Sequence, residues 1–260
     1  MSMPTLFISH GSPDLILQNN SDVRFLQELA RSLPRPEAII CVSAHWDSRK
    51  PAISGPDRPQ TIHDFYGFQA ELYDLRYSCP GAPDLAREIS EILSEADFEN
   101  TVSPQRGLDH GAWAPLMLMY PDAEIPVIQL SIQTGSDTRH HYRIGQALAP
   151  LRDKGVLIIG SGGATHNLRE FGRYAMDAPP VAYAQAFDDW LAVSIEKGAS
   201  EDILDYRTLA PEARRNHPSE DHFLPIFAPL GAAGKGAKGS RIHRNITYGI
   251  LSMAAFAWGL

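Results

Sequence analysis

Short apolar runs alternate along the chain with segments whose apolar residues recur every three or four positions. The apolar runs are rich in Ile, Val and Leu, which is typical of strands buried on both faces of a parallel sheet. They predict strands over residues 4–9, 37–45, 125–132 and 155–163. The helical spacing, together with one largely apolar segment, predicts helices over residues 21–33, 83–96, 111–120, 138–149 and 181–197.

Turn-forming residues mark several boundaries of these elements. Ser21 is the expected N-cap of the first helix and Pro34 its stop, while Gly198 is expected to end the helix over 181–197. Residues 48–81 are rich in Pro, Gly and aromatic residues. We expect a long loop there with little regular structure, and long loops often carry function.

The C-terminal part of the chain completes the predicted fold. We expect a mobile surface loop over 231–240, where the sequence is low in complexity, and a last strand over about 245–256. Strands that alternate with amphipathic helices predict an α/β fold. The prediction is a single domain over residues 1–260, with a central, mostly parallel sheet flanked by helices.

Charge and composition exclude several classes of protein. The chain has 23 Lys and Arg against 31 Asp and Glu, a formal net charge of -8, which disfavours nucleic acid and anionic membranes as partners. No apolar run approaches the ~18 residues of a membrane span, and the N-terminus lacks the features of a signal peptide. We therefore expect a soluble, cytoplasmic protein.

The two cysteines exclude a disulfide framework and a cysteine-rich zinc site. Cys41 lies within an apolar run, so we expect it to be a buried free thiol.

Histidines recur at the ends of the predicted strands. His10, His45 and His166 follow the first, second and fourth strands, His110 begins a helix, and His222 precedes an apolar segment. In an open α/β sheet ligands bind beyond the carboxyl ends of the strands, so we expect three of these histidines to meet at one edge.

A single histidine at a strand end is commonly a capping or hydrogen-bonding residue, but the cluster as a whole predicts a metal site. Imidazole suits Zn and Fe, and three ligands with open positions mark a catalytic site. The other histidines are expected to be surface or loop residues, although His63 lies in an aromatic loop that can flank a pocket: His63, His140, His141, His217 and His243.

Six short motifs occur in one order along the chain: "SHGSP", "SAHW", "TIHDFYGF", "DHGAW", "HNL" and "EDHFLP". In this order and spacing the sequence resembles the DOPA-dioxygenase branch of the class III extradiol ring-cleavage dioxygenases. The resemblance extends from Met3 to about Met253. It implies an enzyme that opens the ring of a small aromatic diol with O₂, and it leaves open which catechol is the natural substrate and what the oligomeric state is.

The resemblance also implies roles for the histidines. His10 and His45 match metal ligands, and His222 stands where many relatives place a glutamate ligand. Fe(II) is the ion expected for activity, but a set of three imidazoles also suits Zn(II), which the isolated protein can then hold. His166 matches the active-site acid or base and is alternatively a fourth ligand. His110 matches a second active-site histidine.

Residues near the histidines also have expected roles. Gly162 and Gly163 are expected to let the backbone turn sharply after the fourth strand. Three aromatic residues of the long loop either line the substrate pocket or pin the loop to the core: Phe65, Tyr66 and Phe68.

Two other functions remain open at this stage. The same histidines can support a zinc hydrolase, in which metal-bound hydroxide is the nucleophile, and a relative that has lost catalysis would keep the fold as an interaction module. A serine hydrolase is disfavoured because "GSGG" lacks the G-x-S-x-G spacing.

Overall fold

The computed structural model describes residues 2–260. The strands are β1 Thr5–Ser9, β2 Ala38–Asp47, β3 Ala52–Ser54, β4 Thr101–Ser103, β5 Val127–Ile132, β6 Val156–Gly162, β7 Gly239–His243, β8 Ile246–Thr247, β9 Leu251–Ser252 and β10 Ala255–Trp258. The α-helices are α1 Ser21–Ser32, α2 Ala70–Asp74, α3 Pro83–Glu95, α4 His110–Met119, α5 Thr138–Leu148, α6 Ala182–Lys197, α7 Ser200–Leu204, α8 Tyr206–Leu209, α9 Ala213–Asn216 and α10 Phe227–Ala233. Short 3-10 helices lie at Pro13–Leu17, Ala149–Lys154, Leu168–Glu170 and Leu224–Ile226.

Eight strands join in one sheet, in the order β4-β3-β5-β2-β6-β1-β10-β7. The central strands β5, β2, β6 and β1 are parallel to one another, whereas β3 runs antiparallel to β5 and β10 antiparallel to β1. The predicted α/β fold, a single domain with a mostly parallel central sheet, is confirmed.

Both faces of the sheet are covered by helices. Side chains alternate between the faces, as the pleat requires: Leu6 and Ile8 pack into one apolar layer with residues of α1 and α4, and Phe7 packs into the other with residues of α3, α5, α6 and α10. This double burial explains why the central strands are almost wholly apolar.

Most of the predicted helices form with boundaries within one or two residues of those expected. The N-cap of α1 is an exception, because the Asn20 side chain accepts a hydrogen bond from the Val23 amide at 3.0 Å, and Ser21 is the first helical residue. Gly198 ends α6 in the left-handed conformation, as expected.

The C-terminal expectations were partly wrong. Residues 245–256 do not form one strand, because Tyr248 and Gly249 adopt positive φ angles of 52° and 64° that interrupt an extended chain. Short strands β8 and β9 pair with each other instead, and β10 follows.

The segment 231–240 is not a continuous loop, because its start completes α10 and its end begins β7. Gly231 is buried there, and a Cβ on it would clash with the Tyr142 carbonyl oxygen of α5. The glycine therefore allows two helices to pack closely. In the sequence, the same glycine contributes to a composition that is typical of a loop.

The long loop over 48–81 is largely irregular, as expected, and contains only β3 and the short helix α2. Cys41 is buried and unpaired, also as expected, and so is Cys79. Within residues 2–260 no helix combines the length and the apolar character needed to cross a membrane.

Candidate metal centre

The histidines gather beyond the carboxyl ends of three adjacent parallel strands. His10 directly follows β1, and His166 follows β6 by four residues. His45 lies within β2, which extends two residues beyond the predicted end at residue 45, and the pairing of β2 with β5 is irregular between Ser43 and Asp47. Between these two pairs β2 advances by four residues while β5 advances by one, so the regular ladder is interrupted at His45.

Three imidazoles approach one another closely enough to share an ion. His10, His45 and His222 each offer a ring nitrogen, and these atoms lie within 4.8 Å of one another. The Nε2 atoms of His10 and His45 face each other at 3.0 Å. His10 and His222 use their Nδ1 atoms elsewhere, on Ser161 Oγ at 2.9 Å and on Asp221 Oδ2 at 2.7 Å. Such partners orient a ligating histidine and leave its Nε2 directed at the centre.

Burial keeps His10 and His45 neutral, and neutral imidazole is the form that binds metal. Loss of solvent, followed by the proximity of the other histidines, lowers the pKa of His10 well below its usual value. The same causes lower the pKa of His45 to about 2, against a partial opposing effect of Asp64. Both side chains are therefore available as neutral nitrogen donors for a cation.

Asp64 joins the cluster and is a residue that the sequence analysis missed. Its carboxylate accepts hydrogen bonds from the His110 backbone amide at 2.9 Å and from His110 Nδ1 at 2.9 Å. It also lies 3.6 Å from His45 Nδ1. Burial alone would raise the pKa of Asp64, but the hydrogen bonds and proximity of His110 lower it to about 2. The motif "TIHDFYGF" contains this aspartate, but chain spacing gives no sign that it faces His110.

A second carboxylate, which unlike Asp64 is buried, holds the first turn of α4. Asp109 is fully buried and binds the Ser43 hydroxyl at 2.6 Å, the Arg106 guanidinium at 2.7 Å and the Gln129 side-chain amide. Burial raises the pKa of Asp109, against the effect of these partners. The network fixes the start of α4, and with it His110, against β2 and β5.

Two glycines let backbone and side chains approach the cluster. A Cβ on Gly111 would lie 2.6 Å from Ser43 Oγ and 3.0 Å from His45 Cδ2, and a Cβ on Gly162 would clash with the His222 carbonyl oxygen. Neither Gly162 nor Gly163 has a positive φ, and the chain bends just after them, at Ala164 and Thr165. Gly162 is required for close packing of the segment that carries His222.

His166 lies flat against His222. The two ring centroids are 3.5 Å apart and the ring planes are 8° from parallel. Burial, followed by the proximity of His222, lowers the pKa of His166 to about 2. His110 packs against His45, with ring centroids 4.0 Å apart.

A cavity of about 490 Å³ opens at this cluster, within the range of small-molecule sites. Phe65 and Phe68 line it, whereas Tyr66 is 91 % exposed and does not. Phe65 also packs edge-on against His110, with centroids 5.7 Å apart. All five histidines singled out from the sequence line this cavity: His10, His45, His110, His166 and His222.

The remaining histidines were expected to be surface or loop residues, but two of them are buried. His141 and His217 are buried, and burial lowers the pKa of these imidazoles to about 4 and about 3. His141 has a structural role, because it accepts a hydrogen bond from the Gln133 amide and donates one to the Asp137 carbonyl. His63 is half-buried and contacts the Leu75 carbonyl, outside the cavity. The half-buried His140 and His243 also lie outside it.

Known proteins share this fold and sequence along nearly the whole chain. A protein from Beta vulgaris named 4,5-DOPA dioxygenase extradiol is 43% identical over 256 residues, covering 97% of this chain and 95% of the relative. An Escherichia coli K12 protein of the same name is 38% identical over 237 residues, covering 88% and 85%. The crystal structure of an uncharacterized Escherichia coli K12 protein superposes with a TM-score of 0.82, at 32% identity, covering 99% of this chain and 100% of that one.

The family match has the same extent. Residues 4–257 match the family described as the catalytic LigB subunit of aromatic ring-opening dioxygenase. The matched residues include all the strands of the sheet, apart from the last residue of β10, and all five histidines of the cavity. The chain therefore belongs to the LigB family of aromatic ring-opening dioxygenases.

Proposed function

We propose that this protein is a metal-dependent extradiol dioxygenase that opens the aromatic ring of a DOPA-like catechol with O₂. The observation that carries the proposal is the convergence of three imidazoles on one cavity, in a chain of a ring-opening dioxygenase family. Relatives over most of the chain bear the name 4,5-DOPA dioxygenase extradiol. Two buried free thiols agree with a reducing compartment such as the cytoplasm.

His10, His45 and His222 are the proposed metal ligands. Their donor atoms lie within mutual reach, and hydrogen bonds at Nδ1 of His10 and His222 leave the Nε2 atoms available. Three imidazoles fit Fe(II), the ion proposed for activity, and fit Zn(II) as well, which the isolated protein can hold. When bound, Fe(II) with open positions brings the diol and O₂ together and carries electron density from the ring to oxygen.

His166 is proposed as the base that takes a proton from a catechol hydroxyl. A ligating nitrogen directs its lone pair within its ring plane, and the planes of His166 and His222 are nearly parallel and stacked at 3.5 Å. The lone pairs of the two rings therefore do not converge on one point. This arrangement favours a base over a fourth ligand. A neutral imidazole that is not a ligand has a free nitrogen lone pair to accept the proton of a catechol hydroxyl.

His110 is proposed as the second proton-transferring group. Asp64 accepts the Nδ1 proton of His110, which leaves Nε2 as the atom that receives or returns a proton in the cavity. An adjacent carboxylate also stabilises the protonated imidazole. Asp64 is therefore a positioning residue, since it fixes the tautomer and the orientation of His110.

Phe65 and Phe68 are proposed to cover one face of the catechol ring. Both line the cavity and pack edge-to-face against each other, with centroids 5.4 Å apart. Aromatic side chains in this geometry favour a bound aromatic ring and exclude water.

Oxygen uptake tests the proposal. The protein is reconstituted anaerobically with Fe(II), its iron content is measured, and L-DOPA or another catechol is added with an oxygen electrode running. Consumption of O₂ together with a yellow product is the expected result. Lack of uptake across a catechol panel, with iron bound, would contradict the proposal. A zinc hydrolase with the same three ligands is the second candidate, because an all-imidazole donor set suits zinc, and hydrolysis by the zinc-loaded protein would then favour it.

A further inference from the structure

The wall of the cavity carries negative charge and no fixed positive charge. Of the residues within 2–260 that line it, none is a lysine or an arginine. Two carboxylates do line it, Asp14 and Asp22. A substrate carboxylate would therefore enter this cavity without a cationic side chain to pair with, and burial of an unpaired charge is unfavourable.

Asp22 is already engaged by the protein. It is 2 % exposed, and it binds His243 Nε2 at 2.7 Å and Asn245 Nδ2 at 2.9 Å. Its hydrogen-bonding capacity is therefore used within the fold, where it ties α1 to the C-terminal strands.

Asp14 is different, because its carboxylate is half-buried and has no side-chain hydrogen bond or salt bridge within residues 2–260. It lies near the Tyr248 hydroxyl, whose pKa is raised by burial and then by the Asp14 charge. Asp14 is four positions along the chain from His10, so their Cα atoms lie at most ~14 Å apart. Asp14 and the three proposed metal ligands also line the same cavity, so one small molecule can reach both.

The rim of the cavity is apolar. Leu168, Phe171 and Met176 line it and remain 54 %, 53 % and 48 % exposed. Large apolar side chains that stay half exposed around one opening indicate a ligand-binding surface. These three side chains suit a hydrocarbon spacer and offer no hydrogen-bond donor to an anionic group.

We propose that the preferred substrate is a catechol whose side chain ends in an ammonium group and carries no carboxylate, and that Asp14 binds this ammonium. The inference rests on the proposed dioxygenase function and narrows its substrate class. The proposed substrate preference differs from that of relatives named for DOPA, because DOPA itself carries both an ammonium and a carboxylate.

Four catechols test the proposal: dopamine with an ammonium, 4-ethylcatechol with neither charge, 3,4-dihydroxyphenylpropanoate with a carboxylate, and L-DOPA with both. Dissociation constants are measured anaerobically on the Fe(II)-loaded protein, and kcat/KM is then measured with O₂. The test variant is Asp14→Asn. The control is Asp122→Asn, which removes the same charge at an exposed position outside the cavity.

Dopamine should bind about tenfold more tightly than 4-ethylcatechol, the size expected for one charge-assisted hydrogen bond. The carboxylate compound should bind most weakly. Asp14→Asn should remove the advantage of dopamine while changing the affinity for 4-ethylcatechol little, and Asp122→Asn should leave the order intact.

Equal affinity for the four compounds, tighter binding of the carboxylates, or an Asp14→Asn variant that keeps the dopamine preference would each overturn the inference. The outcome for the proposed function is separate. The expected binding order without O₂ consumption for any compound would contradict dioxygenase activity and still support Asp14 as the ammonium site.

Discussion

The imidazole of His166 stacks on that of His222, with centroids 3.5 Å apart and planes 8° from parallel. Side by side, the two histidines have different surroundings. His222 is oriented by Asp221 and offers its other nitrogen to the ligand cluster, whereas His166 makes its contact through its face. Two residues of the same type at one site are therefore expected to have separable roles.

Substitution separates those roles. His10→Ala, His45→Ala and His222→Ala should each lose metal, because two imidazoles remain where three donors converge. His166→Ala should keep the metal and lose about 10²–10⁴-fold in kcat, the range for a general base. Metal content per chain and steady-state oxygen uptake provide the two measurements. If His166→Ala loses metal as readily as His222→Ala, His166 is a ligand and the assignment as base is wrong.

Asp64 provides a second test. Asp64→Asn should retain metal but lower kcat by about tenfold or more, because the amide no longer stabilises protonated His110. Its pH–rate profile should also change. Asp74→Asn, an exposed position in the same long loop, is the control and should leave both kcat and the profile unchanged. A purely structural role for Asp64 would instead lower the thermal midpoint and leave the shape of the pH profile as it is.

Gly111 tests the close approach of α4 to the cluster. In Gly111→Ala the new Cβ would lie 2.6 Å from Ser43 Oγ and 3.0 Å from His45 Cδ2, so one of them must move. We expect a loss of about 1–3 kcal/mol in unfolding free energy and weaker metal binding. Gly135→Ala is the matched control, because a Cβ there meets nothing within 4 Å. If Gly111→Ala binds metal with wild-type affinity, the close approach of α4 to His45 is not required for metal binding.

His141 makes stability depend on pH. Burial lowers its pKa from 6.5 to about 4, so between these values the unfolded chain binds a proton that the folded chain does not. The unfolding free energy should therefore fall as the pH drops from about 6.5 to about 4, by about 3 kcal/mol from this residue.

Denaturant titrations across this pH range measure the effect. In His141→Gln, a non-titrating side chain that retains polar groups, the slope of unfolding free energy against pH should decrease by up to one proton relative to wild type. An unchanged slope would mean that His141 does not contribute to the acid sensitivity of the fold.

Much of the architecture was predictable because it depends on short-range rules. An apolar run such as β6 and an amphipathic helix such as α5 show their burial in the period of their apolar residues. Predictions based on composition were less reliable. The composition around Gly231 predicts a loop, but the glycine is needed there because helix α5 lies against it. The apolar residues 245–256 predict one strand, but positive φ angles at Tyr248 and Gly249 interrupt it.

The sequence by itself indicated which histidines belong to the cavity, because residues that follow parallel strands lie at one edge of the sheet and because the ordered motifs resemble those of a known family. Only the tertiary structure decided which contacts each of these histidines makes. The contact of Asp64 with His110 spans 46 residues, and the stacking of His166 on His222 brings together two distant segments. Such contacts follow from the packing of loops against the sheet, and no local periodicity records that packing.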